Sequence, residues 1–466
     1  MVTKVKTLCG WWVMLLLSLA TLAAPNGDLR LVEAVKQGDK KAVGLLLNTN
    51  GDVDASEADG ATPLAWAVHW DDMETADLLI RAGAHVNKAN EYGVTPLSLA
   101  CTNRNAPMVE MLLKAGADPN TALISGETVL MTCAHTGAVD AVKFLLAYGA
   151  NVNASETWRG QTSLMWAVAE RHSDVASTLI KHGAEVHVRS KGGFTPLLFA
   201  AQQGDVDCAR LLLAAGSHVN DAAPDGTSPL LLAAASGHEA LSIFLVGRGA
   251  NVNATDGRGY TALHYAASGR NLLGLAKALL EHGADPNSQL SKGDVGATPF
   301  YLAATAGNLS AMRTLANSGA NPLVRTKQNN TALMAAAGVG QFDARTDAQN
   351  EGALEAAKLA IELGVDVNAV GENGWTALHG AAYTGSDAII RLLVDQGAKM
   401  EVKDKFGQTP LSIAEAVITT GLGDNSDVRP RQWRDSTVNL LLKLGATPVE
   451  TSGVQRVGSM AVRPER

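Results

Sequence analysis

The chain has 466 residues, 46% hydrophobic and 18% charged, with 38 basic against 46 acidic side chains and a net charge of −8. This apolar content excludes wholesale disorder. The acidic balance gives no support to a basic face for nucleic acid, and four cysteines are too few for a disulfide-built scaffold.

The first element in chain order is a targeting segment, residues 1–24. Lys4 and Lys6 precede an apolar run, Leu8–Leu22, followed by the small residues Ala23 and Ala24 and then Pro25. The run falls short of the roughly 20 residues that span a bilayer, so it predicts a secretory signal peptide cleaved near Ala23/Ala24. The alternative is an uncleaved N-terminal anchor. Cys9 stands at the start of the run, not its end, which argues against lipidation. No other stretch has membrane-like density, so no membrane association is expected after cleavage.

A hydroxyl residue two places after a glycine then recurs at Thr62, Thr95, Thr128, Thr162, Thr195, Ser228, Thr261, Thr298, Thr331, Thr376 and Thr409, mostly 33 residues apart. Only the unit at Thr331 has Asn329 in place of that glycine. The hydroxyl is suited to cap a helix start, and a following Pro fits the first helical turn. Small and apolar residues then follow at helical spacing, as in Leu197, Ala200 and Ala201. A second helix follows, closed by a glycine such as Gly216, where a left-handed residue is needed. One such unit cannot bury its apolar faces alone, so neighbours must stack.

The pattern Gly-x-Thr-Pro-Leu-x-x-Ala-Ala, continued by Leu-Leu-x-x-Gly-Ala-x-Val-Asn, resembles the ankyrin repeat. The resemblance implies an all-α repeat fold, a solenoid of about 12 helix pairs with β-hairpin fingers. Residues 25–58 read as a degenerate N-terminal capping repeat and 59–450 as repeats. Residues 451–466, without periodicity, read as a disordered tail. The exported repeat chain also resembles ankyrin proteins of the bacterial envelope.

Two units depart from the period, with insertions between their helices at about 338–352 and 419–434. Asp343 and Arg345 in the first, and Arg429, Arg431 and Trp433 in the second, form a candidate inserted-loop site if acidic and basic groups pair across the intervening unit. Otherwise both are solvated loops.

Catalytic motifs are missing from the sequence. There is no Gly-x-Ser-x-Gly elbow and no Cys-x-x-Cys, and Ser242 stands where a metalloprotease pattern starting at His238-Glu239 needs its second histidine. No catalytic residue, metal site or cofactor is expected. His264 and His379, directly after Thr-Ala-Leu, match the family's structural histidine. Cys101, Cys133 and Cys208 fall at small or apolar core positions and are expected as buried free thiols. Packed helices typically lie 8–10 Å apart, and a disulfide needs Cα atoms within about 7 Å.

The functional signal lies in the aromatics. The resemblance places the binding surface on the fingers and first helices, which makes Trp66, Trp70, Tyr92, Trp158, Trp166, Phe194, Tyr260 and Trp375 candidate partner-binding residues. For Trp66 and Trp166, as for Phe199 and Tyr265 at the same offset, half-buried groove packing explains the position equally well. The expectation is a monomeric, non-enzymatic scaffold in the periplasm or outside the cell, holding a protein partner of unknown identity. Two other readings stand beside it: a protective or structural envelope factor for a partner enzyme, and an enzyme with its site in the inserted loops.

Overall fold

The computed structural model describes residues 28–49, 51–269, 272–293, 295–340, 347–415, 417–418, 435–448 and 455–456. The segment read as a signal peptide lies outside these residues. So do Asp343, Arg345, Arg429, Arg431 and Trp433, and nearly all of the C-terminal tail.

The described residues form 24 helices, which pair in chain order into first and second helices of twelve units. They divide into two compact halves, Met1–Pro224 and Asp225–Arg466. In the first half the first helices are Arg30–Lys36, Pro63–His69, Pro96–Thr102, Val129–Thr136, Ser163–Ala169 and Pro196–Gln203, each packed on the next. In the second half they are Pro229–Ser236, Ala262–Ala267, Pro299–Thr305, Ala332–Ala337, Ala377–Thr384 and Pro410–Ala414, stacked in the same way. Among the described residues, a two-residue antiparallel pairing joins Val417–Ile418 to Gln455–Arg456.

The recurrent hydroxyl works as read. Thr62, Thr162 and Ser228 adopt extended backbone and accept from the N–H three residues on, which satisfies one orphan donor of each helix. In several units an asparagine two residues beyond the closing Gly-Ala-x ties the unit to the next one. Asn120 donates to the Gly149 carbonyl at 3.1 Å and accepts from the Asn151 N–H at 2.7 Å. Asn287 does the same with Gly319 and Asn321 in the second half. The fingers carry isolated antiparallel bridges at Ala122–Thr128 and Ser155–Thr162.

The cysteine expectation is overturned for two of the three. Cys101 and Cys133 form a disulfide, with Cα atoms 4.8 Å apart. The 8–10 Å spacing is an average over side chains of mixed size. These helices meet at their small-residue seam, where Ala100-Cys101 faces Cys133-Ala134, all fully buried. Backbones approach there far more closely than at a leucine contact. Cys208 is a buried free thiol, as expected, and burial together with the adjacent Asp205 carboxylate pushes its pKa up.

Part of the first insertion is helical. Asp347–Glu362 is a single helix of 16 residues, where a second helix such as Leu309–Asn317 has 9. The insertion therefore lengthens the second helix toward its N-terminus. Gly352 on this helix lies against Gly307, the turn of the preceding unit. A Cβ on Gly307 would meet the Gly352 carbonyl carbon at 2.8 Å, and Gly307 itself has φ +64°.

His264 shows the structural histidine in full. Its Nδ1 accepts from the Thr261 N–H at 3.2 Å, so Nε2 carries the proton and donates to the Ala297 carbonyl of the next unit at 3.3 Å. His379 repeats this with Thr376 and the Gln408 carbonyl, at 3.1 Å each. Burial holds the His264 pKa down to about 4 and shifts His379 in the same direction. An unfolded histidine takes its proton near 6.5. Between those values the unfolded chain binds more protons, so stability falls as pH drops from about 6.5 to 4 and is fully present above that window. His264 alone contributes on the order of 3 kcal/mol to this fall. Urea midpoints measured from pH 7 to 4 check it: His264→Gln should flatten the decline, and a slope equal to wild type would contradict the assignment.

Candidate binding grooves

Two recesses on the first-helix and finger side, one in each half, take up part of the aromatic signal. In the first half, Trp66 projects from Pro63–His69 between the fingers. Its indole Nε1 donates to Glu57 Oε2 at 2.7 Å, and the Lys36 ammonium lies 4.9 Å from its ring, itself 2.9 Å from Glu57. Trp70 stacks on it at 6.3 Å and is 59% exposed. Glu57 thus fixes the orientation of Trp66, and Trp66 in turn supports an exposed indole. Next to this pair is a groove of about 340 Å³, lined by Trp66, His69, Tyr92, Leu99, Leu123 and Ile124. Ile124, at a finger tip, is 76% exposed. Burial pushes the His69 pKa down, which keeps the ring neutral and the groove apolar at pH 7.

The other candidates of this half stand apart from the groove. Trp158 is a finger tip, 76% exposed, with the Arg159 guanidinium 5.3 Å from its ring. Glu156 shapes that tip by accepting from the Trp158, Arg159 and Gln161 N–H groups. Burial pushes the Glu156 carboxyl pKa up, and these three N–H groups outweigh it and hold the value below the usual range. Trp166 is half-buried, with its edge to His135 at 5.2 Å. Its Nε1 is buried without a hydrogen-bond partner, because Thr157 stands where Glu57 serves Trp66. Phe194 is half-buried against Phe199 at 5.7 Å.

In the second half Tyr260 stacks on Tyr265 at 5.1 Å and carries the Arg258 guanidinium at 5.0 Å. Tyr265 donates to Asp256 at 2.6 Å, and burial together with this carboxylate pushes its hydroxyl up to about 12. Tyr260 is thus half-buried in a fixed network. Trp375 lines the second recess, a cleft of about 450 Å³ with Asn330, Glu372, Tyr383, Lys405 and Phe406. Both volumes lie in the range of ligand-sized sites.

The structure therefore brings Trp66, Trp70 and Tyr92 together and leaves Trp158, Trp166, Phe194, Tyr260 and Trp375 at separate places. Sequence reasoning missed His69, Ile124, Tyr383 and Phe406. For Ile124 a signal existed, since Leu123-Ile124 is an apolar pair inside an otherwise polar finger. Among the described residues, no three His, Cys, Asp or Glu side chains are placed to hold a metal, and no helix is long and apolar enough to cross a membrane.

Paired antiparallel helices in register, capped by Thr and linked by hairpin fingers, define an α-helical repeat protein. Residues 31–122, 120–190, 197–290 and 346–418 match the family described as ankyrin repeats (3 copies), and 295–327 match a single ankyrin repeat. The chain belongs to the ankyrin repeat family. It is 33% identical over 160 residues to human ankyrin repeat and SOCS box protein 16, covering 34% of this chain and 33% of that protein. It is 43% identical over 65 residues to protein phosphatase 1 regulatory subunit 12A of Mus musculus, covering 14% and 6%. It is 27% identical over 191 residues to a transient receptor potential cation channel subfamily A member 1 homolog of Caenorhabditis elegans, covering 41% and 14%. The matches span a third or less of each relative's length.

Proposed function

We propose that this chain is a non-enzymatic interaction scaffold of the bacterial envelope, exported to the periplasm or beyond, and that it seats a protein partner on the Trp66–Tyr92–Ile124 groove. The observation that carries the reading is an apolar groove walled by oriented aromatics and opened by the exposed Ile124 and Trp70. Rigid aromatic anchors beside a desolvated recess are where binding energy concentrates. The Cys101–Cys133 bond supports export, because disulfides persist in oxidising compartments. The positively charged, apolar N-terminal sequence supports it independently.

A crosslinking pull-down from a periplasmic fraction tests the proposal, with wild type, Trp70→Ala and Ile124→Asp as baits of equal thermal stability. A prey recovered by wild type and reduced about tenfold or more by either variant is expected, given the 2 kcal/mol scale of central anchors. Prey recovered equally by all three baits would remove the groove from the account.

A further inference from the structure

The cleft around Trp375 differs in chemistry from the apolar groove. We propose that it receives an arginine side chain of the protein partner. This rests on the reading of the chain as an interaction scaffold and adds a second recognition point of defined charge.

Three observations carry it. First, the walls are aromatic and set at an angle. Trp375 and Tyr383 have ring centroids 5.6 Å apart with planes at 51°, and Phe406, 53% exposed, lines the same cleft. Such faces attract a cation through their negative quadrupole, and a planar guanidinium stacks on them. Second, Trp375 is polarised from behind. Its Nε1 donates to Asp404 Oδ2 at 3.1 Å, and the other Asp404 oxygen is held by the Phe406 and Gln408 N–H groups at 2.8 Å each. A carboxylate accepting from the indole N–H raises electron density on the ring face turned to the cleft. The same anchoring fixes the rotamer of the ring before any ligand arrives.

Third, the rim offers acceptors for a fork of N–H donors. Glu372 lines the cleft beside the Asn330 amide, and among the described residues its carboxylate has no ion-pair partner. Arginine presents five donors in fixed geometry and uses such a set better than the point charge of lysine. Lys405 also lines the rim. The local balance of Glu372 and Asp404 against Lys405 is still negative, and the whole chain carries −8. A basic segment is therefore the complementary partner.

The test uses the full chain and two short probes, acetyl-Gly-Arg-Gly-amide and the same peptide with neutral citrulline in place of arginine. Isothermal titration should show the arginine peptide binding about tenfold more tightly than the citrulline peptide, one decade being the scale of a single cation–aromatic and carboxylate contact. Glu372→Gln, a rim change that leaves the fold intact by circular dichroism, should remove most of that preference. Trp375→Leu should abolish binding of both peptides, with its melting curve recorded alongside. Ile124→Asp should leave peptide binding unchanged, which separates failure of this cleft from failure of the apolar groove. Equal binding of the two peptides, no binding of the arginine peptide, or an arginine preference that survives Glu372→Gln would each overturn the proposal.

Discussion

Replacing Cys101 and Cys133 together with alanine lowers the unfolding free energy of the first half by about 3–4 kcal/mol. The bond closes a loop across a sequence separation of 32, and the entropy it removes from the unfolded chain sets that scale. Packing adds little, because alanine is what other units carry at the same places, as at Ala200 and Ala201. Urea denaturation with and without a thiol reductant checks it. Wild type should lose stability on reduction, and the double variant should match reduced wild type and ignore the reductant. A wild type indifferent to reductant would remove the bond from the stability account and weaken its support for an oxidising compartment.

Gly307→Ala carries the second large effect. A Cβ there would lie 2.8 Å from the Gly352 carbonyl carbon and 2.9 Å from the Ala353 nitrogen. Both are backbone atoms of one long helix, so neither yields by a rotamer change. The left-handed backbone at φ +64° adds its own penalty of about 1–2 kcal/mol for a side chain. With the cost of overpacking, a loss on the order of 3 kcal/mol is expected. Thermal melts of Gly307→Ala should show the drop. Gly83→Ala, also left-handed but with open space around it, should lose only the backbone part. Equal losses at the two sites would mean that the long helix does not press on this turn.

These two cases mark where the sequence stopped being legible. Period, capping and pairing come from local chemistry: a Thr that caps, a Pro at the first turn, an Ala seam, a closing Gly. Eleven of the helix pairs follow from those signals. The first, which starts at Arg30 without a capping Thr or Pro, was read as a degenerate repeat, and the roles of His264 and His379 came from the resemblance to the family. The disulfide was not legible, because an average helix spacing hides the close approach that Ala100-Cys101 and Cys133-Ala134 permit. The helical part of the first insertion was missed for a related reason. Asp347–Gly352 continues the helix of the residues after it, and its packing partner is Gly307, a position set by the preceding unit.

The candidate site was half legible. The shared offset picked out Trp66, and finger position picked out Tyr92. Their joining into one groove depends on how adjacent fingers sit, and so does the contribution of Leu123 and Ile124. Trp375 was found by its place before Thr376. Phe406 stands at the same finger offset as Tyr92, three residues before its Thr, so a signal existed for it. Tyr383 comes at the end of the first helix Ala377–Thr384, and only folding brings the two to the same cleft. Trp158, Trp166 and Phe194 share the sequence signal and lack the convergence.

Site-specific photocrosslinking tests the central claim most directly. A photoreactive residue at Ile124 samples the groove, and one at Leu78, an exposed position of the second helix Met73–Arg81, samples the other layer of the first half. With periplasmic extract, the Ile124 probe should give a discrete higher-mass adduct that Trp70→Ala suppresses, and the Leu78 probe should give none. Adducts of equal yield from both positions, or from Leu78 alone, would contradict a partner seated on the Trp66–Tyr92–Ile124 groove.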